Sequence, residues 1–268
     1  MSVKNNLCGY ITVFAAAAMF LISTTGCTPL EKPDTDQSSF SSASDISAVS
    51  EEEKENVTSD KNYSLPADKP DGTESEWQIR LVNINNPLPE SYKPETVSFP
   101  NNAQQGVSVD VRMKDALDDM IAAAQKDGTG LYVYSAYRSF QRQTELFDNS
   151  VGQLMQQGKT KADAESETAK NIAVPGTSEH QYGLAADIVN ADFFVTNPSG
   201  VLDVSFDETQ ASKWLRSNAH KYGFILRYPK DKTGITKINY EPWHYRYVGK
   251  EHAANIKNLG ITLEEYVK

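Results

Sequence analysis

Cysteine is nearly absent: Cys8 and Cys27 are the only two among 268 residues. Both fall in the first tenth of the chain, so no disulfide framework or thiolate metal cage can hold the rest together. Any metal bound there must use histidine and carboxylate. Basic residues are also scarce, with 26 Lys plus Arg against 36 Asp plus Glu, and the formal net charge of -10 speaks against a protein that wraps nucleic acid through phosphate contacts. No nucleic-acid partner is expected. The one conspicuous apolar run, Ile11 to Ile22, is too short to span a bilayer comfortably. What remains, 39% hydrophobic, 10% aromatic and 23% charged, is the make-up of a soluble globular protein, neither fibrous nor a membrane bundle.

The acidity is concentrated. Residues 28 to 75 carry 12 acidic and 4 basic side chains, while residues 76 to 268 carry 24 and 21. The first stretch also holds seven serines between Ser38 and Ser50, the run Glu51-Glu52-Glu53 and scarcely an aromatic residue, so it cannot bury enough apolar surface to offset its ordering entropy. It reads as a disordered, charge-extended tether. Residues 76 to 268 hold all three tryptophans and all four histidines, and suffice for one well-buried domain.

Ahead of the tether, Lys4 precedes the apolar run, and Ser23-Thr24-Thr25-Gly26-Cys27 follows it. A short apolar core ending in small residues is the pattern of a signal peptide, so residues 1 to 26 read as an export signal. Thr25-Gly26-Cys27 resembles the end of a bacterial lipobox, in which the cysteine becomes the lipidated first residue of the mature protein. That resemblance implies an extracytoplasmic domain, lipid-anchored to the cell membrane at Cys27 and held off it by the tether of residues 27 to 75. Ordinary signal cleavage leaving Cys27 as a free thiol is the alternative.

Within the domain the elements alternate in type. Met113, Ala116, Leu117, Met120, Ile121 and Ala124 recur with a helical period over 110 to 126, and Gly128 and Gly130 follow. Leu131 to Tyr137 predicts a strand, followed by helices over 140 to 157 and 161 to 173. Further strands are expected over 183 to 189, 224 to 228 and 243 to 248, with helices over 208 to 222 and 250 to 259. Helices cluster before and after the strands instead of alternating strictly with them, which predicts an α+β fold: a single compact domain with a small antiparallel sheet flanked by helices.

A zinc hydrolase needs about three protein ligands, usually His nitrogens with a carboxylate, an open position for water, and a carboxylate that takes the water's proton. The domain offers such a set. His180 and Asp187 flank Gly183 in Ser178-Glu179-His180-Gln181-Tyr182-Gly183-Leu184-Ala185-Ala186-Asp187, where small residues would let the backbone pass close to a metal. His244 lies in Glu241-Pro242-Trp243-His244, and because Pro242 argues against helix interior, bringing Glu241 and His244 to one side requires a bend or bulge. Taken singly, each histidine is more often a hydrogen-bonded structural residue than a ligand, and Asp187 could simply cap a turn. The joint pattern, in a chain of four histidines, brings the metal reading level with the structural one. His220 and His252 fall on helical patterns and read as structural.

Ser178-x-His180-x-x-Gly183-x-Ala185-x-Asp187 together with Glu241-x-Trp243-His244 resembles the paired signature of the VanY-like D-alanyl-D-alanine carboxypeptidases, zinc metallopeptidases of bacterial cell-wall peptides. An earlier motif of that family also appears, as Ser135-Ala136-Tyr137-Arg138-Ser139-Phe140-Gln141-Arg142-Gln143. The resemblance runs from about Trp77 to Lys268. It implies that His180, Asp187 and His244 bind Zn2+, that Glu241 is the catalytic base, and that Arg138, with Ser178 and Gln143, holds a peptidoglycan stem peptide. A planar guanidinium at the end of a predicted strand suits a carboxylate clamp or an oxyanion partner; a surface salt bridge is the alternative for Arg138. Tyr137 and Trp243 read as core or pocket wall.

Serine D,D-peptidases attack the same bond through Ser-x-x-Lys, Ser-Asp-Asn and Lys-Thr-Gly. Lys232-Thr233-Gly234 is present, but no Ser-x-x-Lys occurs, so residues 232 to 234 read as a hairpin-type turn. A wall-binding lipoprotein without catalysis is the non-enzymatic rival, and the intact ligand set and Glu241 argue against it. Removal of D-alanine from pentapeptides is expected. L,D-carboxypeptidase or endopeptidase action on tetrapeptides is the alternative, since pocket walls set that choice. A tethered monomer is the default.

Overall fold

A computed structural model describes residues 76–102, 106–197 and 202–268. The expected signal peptide, Cys27 and the expected tether therefore lie outside the described residues. Among the described residues no helix is long and apolar enough to cross a membrane.

The chain enters through two three-residue strands, β1 (Thr96–Ser98) and β2 (Ser108–Asp110), paired antiparallel. Asp110 then caps α1 (Val111–Lys126), its carboxylate accepting from the Arg112 amide at 2.8 Å. The predicted apolar stripe of α1 is buried at Met113, Leu117, Met120, Ile121 and Ala124. Strand β3 (Leu131–Ser135) leads to α2 (Phe140–Gln156), capped by Ser139, and to α3 (Lys161–Thr168), capped by Thr160. A single helical turn, α4 (Glu179–Tyr182), precedes β4 (Ala185–Asn190) and α5 (Ala191–Thr196). A 3₁₀ turn then leads into α6 (Gln210–Asn218), and a second one, Ala219–Tyr222, precedes β5 (Phe224–Leu226). After α7 (Thr233–Thr236) come β6 (His244–Tyr247), α8 (Lys250–Leu259) and α9 (Leu263–Tyr266).

Strands β3, β4, β6 and β5 form a four-stranded sheet in that order, antiparallel throughout. This is the expected α+β architecture. The inner strand β4 is buried at every residue but Asn190, as its unbroken small and apolar run requires. The buried face of α1 shares one core with Val133, Ile188, Leu215 and Phe224. A second cluster, including Ile79, Ile225, Val248, Ile256, Leu263 and Tyr266, seats α8 and α9.

Several predicted elements are shorter than their sequence pattern. Strand β3 stops at Ser135, where the register with β4 shifts and the chain turns away to carry Tyr137 onto Ser108. The helix expected over 161 to 173 ends at Thr168, whose hydroxyl is tied to Ser150 at 3.0 Å. Residues 232 to 234 are not a hairpin turn: Thr233–Thr236 is a helical turn, closed by Lys237 in the left-handed region (φ 64°).

Candidate active site

The antiparallel register of β4 and β6 places Asp187 directly opposite His244. Glu241 follows from the turn that opens β6: the His244 amide donates to the Glu241 carbonyl at 3.2 Å, with Pro242 second in a four-residue turn that its fixed φ favours. This is the bend that the Glu-Pro-Trp-His spacing demanded. His180 arrives from α4, whose N-cap Ser178 accepts from the His180 amide at 3.3 Å. The Arg138 amide donates to the His180 carbonyl at 3.1 Å, and His180 Nδ1 lies 2.6 Å from the Ala136 carbonyl oxygen. Positions 136 to 138 and α4 thus fix each other, and the bond to Ala136 makes Nδ1 the protonated nitrogen of a neutral His180, leaving the Nε2 lone pair free.

Three donor groups converge. His180 Nε2 lies 3.3 Å from one Asp187 oxygen and His244 Nδ1 lies 3.2 Å from the other. One ligand atom from each of the three residues falls within 4.8 Å of the others. Ligands bound about 2.1 Å from a tetrahedral zinc stand roughly 3.4 Å apart, close to the two nitrogen–oxygen separations here. The bonding pattern fits as well. His180 Nε2 and Asp187 Oδ1 are buried and have no hydrogen-bond partner among the described residues, a costly state for polar atoms that a bound cation would relieve. Two imidazoles and a carboxylate are the donor set that zinc accepts.

Electrostatics separate the roles. Burial alone would raise Asp187, but the imidazoles of His180 and His244 hold it well below the usual carboxylate range. Burial, with the neighbouring Arg138 charge, pulls His180 down to about 4. Burial also opposes charge on His244, yet Asp187, Glu179 and Glu241 around it push it up to about 9. Glu241 stands apart: burial pushes its carboxyl up to about 8, Asp187 adding to the rise and His244 and Arg138 opposing it. Its Oε2 lies 3.4 Å from His244 Nδ1, beside the donor cluster.

The cluster opens on a cavity of about 1210 Å³ whose wall includes Arg138, Ser178, Tyr137, Trp243 and Tyr228. Arg138 is partly exposed on that wall; its Nε is buried and unpartnered among the described residues, and desolvation pulls its guanidinium below arginine's usual value against Asp187 and Glu241. Gln143 sits elsewhere. Its Nε2 donates to the Ala173 carbonyl at 2.7 Å, tying α2 to the segment before Pro175, and it is not among the cavity-lining residues. His252 bonds Tyr266 through Nδ1 at 2.9 Å and His220 lies on the 3₁₀ turn, both away from the donor cluster.

Gly183 has a different reason from the one its neighbours suggest. It closes α4 at φ 93°, and a Cβ there would meet Pro94 Cγ at 2.8 Å and the Asp110 carboxylate at 3.0 Å. Close packing on the β2 end requires glycine, not the approach of a metal. Sequence reasoning also passed over Glu179, Arg227, Arg246 and Glu264, a charged cluster behind the site. Its one signal was charge inside otherwise apolar or aromatic runs, which only pairing makes tolerable.

A protein-family model described as VanY, D-alanyl-D-alanine carboxypeptidase, matches residues 106–250. A D-alanyl-D-alanine carboxypeptidase of Enterococcus faecalis is 42% identical over 203 residues, 76% of this chain and 70% of that protein. A mutant of the vancomycin-resistance D,D-pentapeptidase VanY from a VanB-type cassette, solved in complex with Zn(II), matches with a TM-score of 0.62 and 39% identity, over 72% of this chain and 100% of that one. The LD-carboxypeptidase LdcB matches with a TM-score of 0.60 and 41% identity, over 72% and 87%.

Proposed function

The chain belongs to the VanY family of D-alanyl-D-alanine carboxypeptidases, and we propose that it uses zinc to remove the C-terminal D-alanine from peptidoglycan stem peptides. The observation that carries this reading is the convergence of His180 Nε2, the Asp187 carboxylate and His244 Nδ1 beside the protonatable Glu241. When bound, zinc would polarise the scissile carbonyl and make water nucleophilic near neutral pH. His180, Asp187 and His244 would hold the ion. Glu241 takes a proton from the attacking water and delivers it to the nitrogen of the departing D-alanine as the C–N bond breaks, and a carboxyl raised to about 8 suits a group that must accept and release a proton near neutrality.

Arg138 receives the free C-terminal carboxylate, its planar fork facing the cavity from the loop that also anchors His180. Ser178, at the α4 N-cap, lies within reach of the same substrate, and Tyr137 and Trp243 shape the wall. Attachment to the cell membrane on its extracytoplasmic side, through a lipid on Cys27, is part of the same proposal, supported by the leader sequence. The equal likeness to an L,D enzyme makes tetrapeptide trimming the second reading.

Three synthetic substrates test it: a stem pentapeptide ending in D-Ala-D-Ala, the matching tetrapeptide, and the pentapeptide amide. The pentapeptide is expected to release one D-alanine, with the tetrapeptide cut far more slowly. Losing the charged hydrogen bonds to Arg138 should lower kcat/KM on the amide by about 10- to 100-fold. Preference for the tetrapeptide would establish the L,D reading, and equal cleavage of the amide would point to an endopeptidase.

A further inference from the structure

Behind the donor cluster lies a second, fully buried group of charges. Glu179, completely shielded from solvent, uses one oxygen twice: Oε1 accepts from Arg227 Nε at 2.7 Å and from Arg246 Nη1 at 2.8 Å. Arg227 spends its other two nitrogens on Glu264 of α9, at 2.8 and 2.6 Å. Arg246 Nη2 reaches the carbonyls of Gln78 and Arg80, both at 3.0 Å. The second oxygen of Glu179, Oε2, is buried and has no hydrogen-bond partner among the described residues. Its near neighbour is His244 Nε2, at 3.8 Å, also buried and without a hydrogen-bond partner. The opposite nitrogen of that ring, Nδ1, faces Asp187 and Glu241.

We propose that Glu179 is a positioning residue for His244: its Oε2 holds the proton on Nε2, so that the Nδ1 lone pair is presented to the cation. A neutral imidazole carries one N–H and one lone pair, and whichever nitrogen meets an acceptor becomes the protonated one. Carboxylates behind ligating histidines also fix ring orientation and raise ligand basicity. The two guanidiniums supply the paired setting in which a carboxylate can be buried, both donating to Oε1. By committing Oε1 to the arginines, they leave Oε2 for the ring. His180 has the same arrangement in a weaker form, with the Ala136 carbonyl behind Nδ1. Glu179 Oε2 and His244 Nε2 stand 3.8 Å apart, at ion-pair distance, and neither has a hydrogen-bond partner among the described residues.

The inference rests on the zinc reading, and zinc affinity by chelator competition tests both separately. Glu179→Gln is expected to weaken zinc by about 10- to 100-fold. Glu264→Gln removes another buried charge from the same arginine without touching His244, and should lower the melting temperature while leaving zinc affinity within about threefold of the parent. Equal affinity in parent and Glu179→Gln, or equal loss in both variants, would overturn the inference and leave the metal reading intact. A parent chain that takes up no zinc would overturn both. Should Glu179→Gln fail to fold, ¹⁵N-histidine NMR of the zinc-loaded parent decides: a slowly exchanging Nε2–H on His244 supports the inference, and zinc on Nε2 refutes it.

Discussion

Glu241→Gln is expected to abolish most turnover, by roughly 10²- to 10⁴-fold, while zinc content and melting temperature stay nearly unchanged. Glutamine has almost the same shape and fills the same turn after Tyr240, whose backbone geometry is set by Pro242 and by the Glu241 amide bond to the Tyr228 carbonyl at 3.2 Å. What it cannot do is accept a proton. Because the residue acts on the reacting water and not on the substrate's distant parts, kcat and kcat/KM should fall together, with KM little altered. Zinc loss in this variant would instead make Glu241 a ligand and reopen the assignment of Asp187.

His180→Ala and His244→Ala should each weaken zinc by roughly 10³-fold or more, since one of about three protein ligands carries a large share of the binding free energy. Activity should vanish in parallel. The two variants should differ in stability. His244 sits among Asp187, Glu179 and Glu241, and its removal leaves three buried carboxylates without the imidazole between them, whereas His180 is also held by a single carbonyl. A greater loss of melting temperature in His244→Ala than in His180→Ala is therefore expected. Full zinc occupancy in either variant would remove that residue from the proposed ligand set.

Residue type and spacing put His180, Asp187 and His244 forward as a candidate donor set level with a structural reading, and the family resemblance supplied the assignment; the register of β4 and β6 brings the three side chains together. Long amphipathic elements were readable from the sequence pattern itself. In α1 and α8 an apolar period and a glycine just after the last turn agree, and the observed limits follow them closely. Elements of three or four residues, such as β1, β2, α4 and α9, carry too few positions for any period to show. They exist because the rest of the fold supplies their partners. The charged cluster behind His244 was hidden for a related reason: Glu179 is distant in sequence from Arg227, Arg246 and Glu264, and only the sheet and the docking of α9 bring them together. Gln143, in a suggestive motif, ties α2 to a neighbouring loop, a contact its sequence position does not announce.

The central claim is that this chain hydrolyses the terminal D-alanyl bond of a stem peptide through a metal held by His180, Asp187 and His244. Its most direct test is mass spectrometry of a stem pentapeptide incubated with purified residues 76 to 268, first as isolated, then after chelation and dialysis, then after addition of one equivalent of zinc. The account predicts loss of a single D-alanine, its disappearance on chelation, and its restoration by zinc. Undiminished D-alanine release from fully metal-stripped protein would contradict it.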